Sequence, residues 1–93
     1  MTKIQIKNII EQIQNEQHPI EDEETLAGYI EDAEYNINSY AGEKINYEID
    51  LNAKSLLKNY VFYARYKRLA EFKQLYAGEY ADLQAKYYKP SSV

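Results

Sequence analysis

Cysteine and tryptophan are absent from the 93 residues, and histidine occurs once. Without thiols the chain has no disulfides, no thiolate zinc ligands and no cysteine nucleophile. Three glycines and two prolines leave too little material for a phosphate-cradling loop, and neither a nucleophile elbow nor a His-x-x-x-His pair occurs. No apolar run approaches the roughly 18 to 20 residues of a membrane span. Met1-Thr2-Lys3-Ile4 lacks the basic-then-apolar order of a signal peptide, which points to an intracellular protein at synthesis with no membrane partner. His18 stands alone beside Pro19, with no second histidine to share a metal or serve a nucleophile. Glu21-Asp22-Glu23-Glu24 lacks the alternating oxygen ligands and the glycine of a calcium loop, and reads as the acidic start of a helix. The expectation is a non-enzymatic chain with no cofactor and no metal.

What is present is a globular composition: 45% hydrophobic and 28% charged residues, with a mean hydropathy of −0.70 that signals a polar exterior. A chain this short holds one core at most, so residues 1–93 are read as one domain, with stability that a partner surface can supplement. The net charge of −4 opposes a dedicated nucleic-acid binder, which neutralises phosphates with excess lysine and arginine. Eleven tyrosines stand against two phenylalanines. Tyrosine can be half buried with its hydroxyl in water, which suits contact surfaces.

Periodicity and punctuation predict helices. Thr2-Lys3-Ile4-Gln5 has the form of a capping box, and Ile6, Ile9, Ile10 and Ile13 follow at helical spacing to about Asn15, although Ile4 and Ile6 also alternate as in a strand. Gln17-His18-Pro19-Ile20 is a connector. Asp22 caps a second helix whose apolar stripe is Leu26, Ile30, Ala33, Ile37 and Tyr40, ended by Gly42. From Glu43 to Asp50 no helical stripe exists, and Ile45, Tyr47 and Ile49 alternate as in a brief extended segment within a loop.

Asp50 caps a third helix with Ala53, Leu56, Leu57, Tyr60 and Ala64 on one face. A second stripe, Phe62, Tyr66 and Leu69, lies nearly opposite and continues through Phe72, Tyr76, Tyr80, Leu83 and Tyr87. Either the helix breaks near Tyr66-Lys67-Arg68 or one long helix packs its halves against different bodies; a break is favoured because so long a helix exceeds what a small domain covers. Gly78 is either tolerated in the last helix or marks a close backbone approach, and Pro90-Ser91-Ser92 ends that helix. The fold class is all-α: a compact bundle of about four helices, with a long core helix and an aromatic C-terminal helix.

The run Tyr60 to Arg68 mixes aromatics with Arg65, Lys67 and Arg68. One reading places Tyr60 and Ala64 in the core and leaves the cations on a solvated edge, paired with Glu71 or the acidic second helix. Another makes Phe62, Arg65, Tyr66 and Arg68 a protein interface, because arginine and tyrosine dominate such contacts. A third has them stack bases and bind phosphates. Beyond the expected core edge, Tyr87 and Tyr88 are candidates to face a partner.

The stretch DEETLAGYIEDAEYNINSYAG, Asp22 to Gly42, resembles the second helix of the small head-tail connector proteins of long-tailed bacteriophages and prophages. LLKNYVFYARYKRLAEFKQLYAGEYADLQ, Leu56 to Gln84, is similar to the family's core helix followed by its aromatic C-terminal helix. The chain departs from the family at Tyr66-Lys67-Arg68, where relatives often carry a small turn residue. The resemblance implies a non-enzymatic head completion adaptor that forms a ring beneath the portal protein and extends the DNA channel. Its partners would be the portal, neighbouring copies of itself and a tail-side stopper or tail-completion protein, and DNA would pass without sequence-specific binding. It would reside in the virion neck, after assembly in the host cytoplasm. By extension Tyr80, Leu83, Tyr87 and Tyr88 would bind the portal or a neighbouring subunit, and the Glu43 to Asp50 loop would meet the lumen or a subunit. The alternative is a small helical regulatory module that binds nucleic acid or another protein through Arg65, Lys67 and Arg68.

Overall fold

Local signals set the helix ends. A computed structural model, which describes residues 1–90, contains α1 (Lys3–Gln17), α2 (Glu23–Ala41), α3 (Leu51–Arg65), α4 (Leu69–Leu75) and α5 (Ala77–Lys86), and no strand among the described residues. The Thr2 hydroxyl accepts the Gln5 N–H at 3.1 Å while the Gln5 side chain accepts the Thr2 N–H at 2.9 Å, which completes the capping box of α1. Asp22 accepts the Thr25 N–H at 2.8 Å to start α2, and Asp50 accepts the Ala53 N–H at 3.0 Å to start α3. α1 runs past Asn15 to Gln17 and stops at His18, whose φ of 48° is left-handed. Gly42, with φ 78°, ends α2.

The break after α3 is a reversal of the chain. Lys67 adopts a left-handed φ of 59°. Its N–H donates to Ala64 O at 3.1 Å, and the Arg68 N–H donates to Tyr63 O at 2.9 Å. These two bonds are those of a Schellman turn, with lysine where glycine usually stands. The second apolar stripe therefore folds back on the first, and Phe72 comes to rest against Tyr60 and Tyr63 at ring-centroid distances of 5.5 and 5.7 Å.

Five helices form rather than about four, because the expected aromatic C-terminal helix is interrupted at Tyr76, with φ −105° and ψ 17°. The Tyr76 ring stacks on Phe72 at 4.7 Å, while bonds from Tyr76 N–H to Phe72 O and from Tyr80 N–H to Tyr76 O keep α4 and α5 hydrogen-bonded across the kink. Gly78 is tolerated rather than required, since a Cβ there meets nothing within 4 Å. α5 ends at Lys86, ahead of Pro90; Ser91 and Ser92, expected to share in that ending, lie outside the described residues.

α2 and α3 are the central pair. They run antiparallel, since Glu21, just before α2, meets Arg65 in the last turn of α3. Leu26, Ile30, Ala33 and Ile37 are fully enclosed, and Ala41 closes the stripe in place of the expected Tyr40. On α3 the expected Ala53, Leu56, Leu57, Tyr60 and Ala64 are buried together with Val61. Ile9, Ile10 and Ile13 of α1 cover one side, and Phe72, Tyr80 and Leu83 cover the other.

The 43–50 connection contributes too: Ile45 and Tyr47 enter the core, while Ile49 faces out. Asn38 holds it by accepting the Tyr47 hydroxyl at 2.8 Å and the Ile45 N–H at 3.3 Å. With a radius of gyration of 13.5 Å and extents of 50 × 29 × 17 Å, the body is a slab, less round than the ~12 Å expected of 93 compact residues.

Charge is sorted between the central helices. α2 carries Glu23, Glu24, Glu31, Asp32 and Glu34 with no lysine or arginine, whereas α3 carries Lys54, Lys58 and Arg65 with no carboxylate.

Candidate protein-interaction face

α3 buries one side and presents the other. At 100° per residue, Ser55, Asn59, Phe62 and Tyr66 fall on the side away from the Leu57–Val61–Ala64 core stripe. Phe62 is 39% and Tyr66 56% exposed, and their rings meet at 5.0 Å. Tyr63 extends the cluster, 5.5 Å from Phe62 and 6.1 Å from Tyr76. Because Tyr76 and Tyr63 both touch Phe72, the outward rings are anchored to the innermost aromatic of the fold. A shallow groove of about 330 Å³ runs beside them, lined by Glu16, Gln17, Lys58, Asn59, Phe62 and Tyr76 among others. Leu75, in the last turn of α4, is also exposed.

The cations expected at this face have other partners. The Arg65 side chain is only 5% exposed; its Nε donates to Glu21 Oε1 at 2.9 Å and its Nη1 to Gln17 Oε1 at 3.0 Å. Burial alone would raise the Glu21 carboxyl, but the hydrogen bond from Arg65, those of the Glu21 and Ile20 backbone, and the Arg65 charge together outweigh it, so Glu21 lies below the usual carboxylate range. Arg65 is thus a clamp between the α1–α2 connector and α3 rather than an interface cation. Arg68 is exposed, 2.8 Å from Glu71, and that hydrogen bond raises its pKa. The Lys67 ammonium sits 5.9 Å from the Tyr29 ring centroid. The three cations do not converge: Tyr60 and Ala64 are core and Arg68 pairs with Glu71 as on a solvated edge, but Arg65 leaves that edge to pair, buried, with Glu21 of the α1–α2 connector.

The C-terminal residues expected to grip a partner divide. Tyr80 and Leu83 are buried, and the Tyr80 hydroxyl donates to Asn36 Oδ1 at 2.6 Å while its ring meets Tyr40 at 4.5 Å. Burial pushes the Tyr80 hydroxyl well above the usual tyrosine value, as it does for Tyr47. Tyr87, half buried, donates to Asp50 Oδ2 at 2.6 Å. These three side chains face the molecule's own interior because α5 lies on α2 and its end reaches Asp50 ahead of α3, and they are corrected from partner contacts to internal ones. Tyr88 alone of the four stays outside, 72% exposed.

Sequence reasoning gave Asp50 only the role of a cap. It is also the anchor of the C-terminal segment, since Lys86 Nζ lies 2.9 Å from the same Oδ2 that Tyr87 contacts. Burial would raise the Asp50 carboxyl; hydrogen bonds from Tyr87, the Ala53 N–H and Lys86 more than reverse this and hold it below its usual value. Between α3 and α5 an open groove of about 380 Å³ is walled by Asn52, Ser55 and Asn59 on one side and Glu79 and Asp82 on the other, over Leu56 and Leu83.

The acidic run behaves as a helix start: Asp22 caps α2, Glu21 pairs with Arg65, and Glu23 and Glu24 fill the first turn. Among the described residues no group of three or more histidine, aspartate or glutamate side chains is placed to hold a metal ion, and no helix is long and apolar enough to cross a membrane. Comparison with protein-family models, with curated proteins and with solved structures finds no match to this chain.

Proposed function

We propose that the chain is a non-enzymatic structural adaptor that binds other proteins through the outward aromatic face of α3. The single observation that supports this is the Phe62–Tyr66 pair, exposed on a helix whose opposite side is fully packed. Exposed aromatic pairs on a rigid helix bind at low entropic cost, and such rings make up the anchors of protein interfaces. The resemblance of residues 22–42 and 56–84 gives the adaptor its setting: a head-tail connector that joins a ring of identical copies beneath a phage portal, extends the DNA channel, and meets a tail-side stopper or tail-completion protein. Its place is then the virion neck, after assembly in the host cytoplasm. The all-carboxylate charge of α2 is compatible with such a channel, because an acidic wall repels DNA and does not retard its passage.

The nucleic-acid version of the regulatory alternative through Arg65, Lys67 and Arg68 loses two of its three cations to ion pairs. Immunoblotting of purified particles tests the adaptor: the protein is expected in virions at a fixed ratio to the portal protein. Its presence in lysates and absence from particles rejects the assignment. A fluorescence titration with DNA across salt concentrations tests the alternative, and sequence-specific binding that survives physiological salt would favour it.

A further inference from the structure

The geometry points to a head-to-tail contact between copies of this chain, in which the first turns of α1 of one copy seat in the α3–α5 groove of the next. It deepens the adaptor reading and rests on it in taking a second copy as the partner; the two contacting surfaces come from the structure.

The first surface is an exposed isoleucine at the tip of α1 with two lysines along one side. Ile4 is 74% exposed on the side of α1 away from Ile9, Ile10 and Ile13, with Lys3 and Lys7 together on one side of it and Glu11 two turns further along the same stripe. The lysine charges oppose the helix's own interest. α1 has no acidic residue in its first turn and no basic residue in its last, so its lysines sit at the positive end of the helix dipole, and Lys3 and Lys7 are like charges four residues apart. Among the described residues neither lysine forms an ion pair. The rest of α1 follows its local rules, with a capping box and buried isoleucines, so this tip is the one part of the helix that the isolated molecule leaves unexplained.

The second surface complements it. The α3–α5 groove offers an apolar floor in Leu56 and Leu83, amides and a hydroxyl in Asn52, Asn59 and Ser55, and carboxylates in Glu79 and Asp82. Lys86, also at the groove, is held by Asp50, whereas Glu79 and Asp82 form no ion pair among the described residues. A volume of about 380 Å³ admits an isoleucine and the stems of two lysines. The outer side of α2 is also acidic, but the cleft beside it is lined by one carboxylate, Asp32, together with Lys67, which makes it less negative than the α3–α5 groove.

The two surfaces lie on opposite flanks of α3. Its residues that meet the α1 side are Lys58 and Arg65, and those that line the groove are Asn52, Leu56 and Asn59. At 100° per residue Lys58 and Leu56 point about 200° apart. One copy can therefore use both flanks at once, which is a heterologous contact, and such contacts form rings when the rotation closes. A helix tip in a groove is a small interface, so each junction is weak alone and closure supplies the avidity.

Sedimentation velocity of the purified full chain tests this without any partner. The wild type is expected to shift to larger species as its concentration rises to about 100 µM. K3E/K7E and E79K/D82K are each expected to weaken association about tenfold or more. An equimolar mixture restores assembly, because every junction then pairs opposite charges. All four side chains are exposed, and an unchanged circular dichroism spectrum with a single cooperative melt for both variants shows that the fold is kept, whatever small shift in melting temperature follows from the altered helix-end charges. A wild type that stays monomeric, a groove variant that associates like the wild type, or a mixture that fails to recover overturns the proposal. Loss of self-association leaves the adaptor reading intact, because a chain can still enter particles by docking on the portal alone. Absence from particles removes that reading and leaves the self-association result standing.

Discussion

The hydroxyl of Tyr87 donates to Asp50 Oδ2 at 2.6 Å, while Oδ1 of the same carboxylate accepts the Ala53 N–H at 3.0 Å. One side chain thus starts α3 and fastens the end of α5 across 37 positions of sequence. Asp50→Ala is expected to cost about 2–4 kcal/mol through the lost cap and the orphaned phenol, and Tyr87→Phe about 1–2 kcal/mol. Urea unfolding of both variants and of their double gives the coupling, expected at about 1–2 kcal/mol. A coupling near zero would show that the phenol does not hold α5.

The same pair sets a pH window. Asp50 is depressed below its ordinary value of 3.8, so its contribution is complete at neutral pH and is lost as acid takes the pH down through its folded pKa. Tyr87 is raised from 10.0 to about 12, chiefly by its hydrogen bond to Asp50, so its contribution is complete below pH 10.0 and fades as the pH climbs toward 12. Thermal melts across pH are expected to show a plateau with losses at both ends. Tyr87→Phe should lower the plateau and flatten the alkaline fall; an unchanged alkaline slope counts against this account.

Phe72 touches the rings of Tyr60, Tyr63, Tyr76 and Tyr80 and is fully enclosed. Phe72→Ala should cost about 3–5 kcal/mol, a large part of what a domain of this size has, and Phe72→Leu about 1–2 kcal/mol. Denaturant midpoints check the order. Equal, small losses for both would mean that the aromatic hub is loosely packed.

Gly28 and Gly42 should respond to alanine with opposite signs. A Cβ at Gly28 meets nothing within 4 Å inside α2, so Gly28→Ala is expected to stabilise by about 0.5–1 kcal/mol. Gly42 has φ 78°, and Gly42→Ala should destabilise by about 1–2 kcal/mol. Lys67, at φ 59°, should gain about 0.5–1 kcal/mol on replacement by glycine. Calorimetric melting temperatures of the three variants decide the matter.

For the aromatic face, Phe62→Ser with Tyr66→Ser should cost about 1–3 kcal/mol, because Phe62 is only 39% and Tyr66 56% exposed, a loss that leaves the chain folded. Recovery of the protein in particles should nevertheless fall at least tenfold by immunoblot. Wild-type recovery would move the docking surface elsewhere.

The parts of this structure written in short-range chemistry could be read before any coordinates. Thr2 with Gln5, Asp22, Gly42 and Asp50 act within four residues of themselves, and each marks the helix end that its residue type predicts. The Leu26–Ile30–Ala33–Ile37 stripe was legible because periodicity names a buried face. Periodicity does not say which body covers a face, and so Tyr80, Leu83 and Tyr87 read as partner contacts when α5 in fact lies on α2. Arg65 escaped for a similar reason: its partner Glu21 is 44 residues away. The kink at Tyr76 had no proline to announce it. Tyr47 sat in a loop pattern, and its hydroxyl bond back to Asn38 near the end of α2, which turns the ring inward, has no signature in the alternation. Phe62 and Tyr66 were visible because the stripe opposite Tyr60 and Ala64 had to face something other than that core.

The sorting of charge between α2 and α3 has a consequence for chains that have not finished folding. When two half-open molecules collide in a dense suspension, α2 against α2 sets carboxylates on carboxylates, and α3 against α3 sets cations on cations. Entangled like-on-like species are thereby repelled at long range, and the correct pairing within one chain is the attractive one. Added salt screens that bias, so the yield recovered from denaturant at high protein concentration should decline as ionic strength increases.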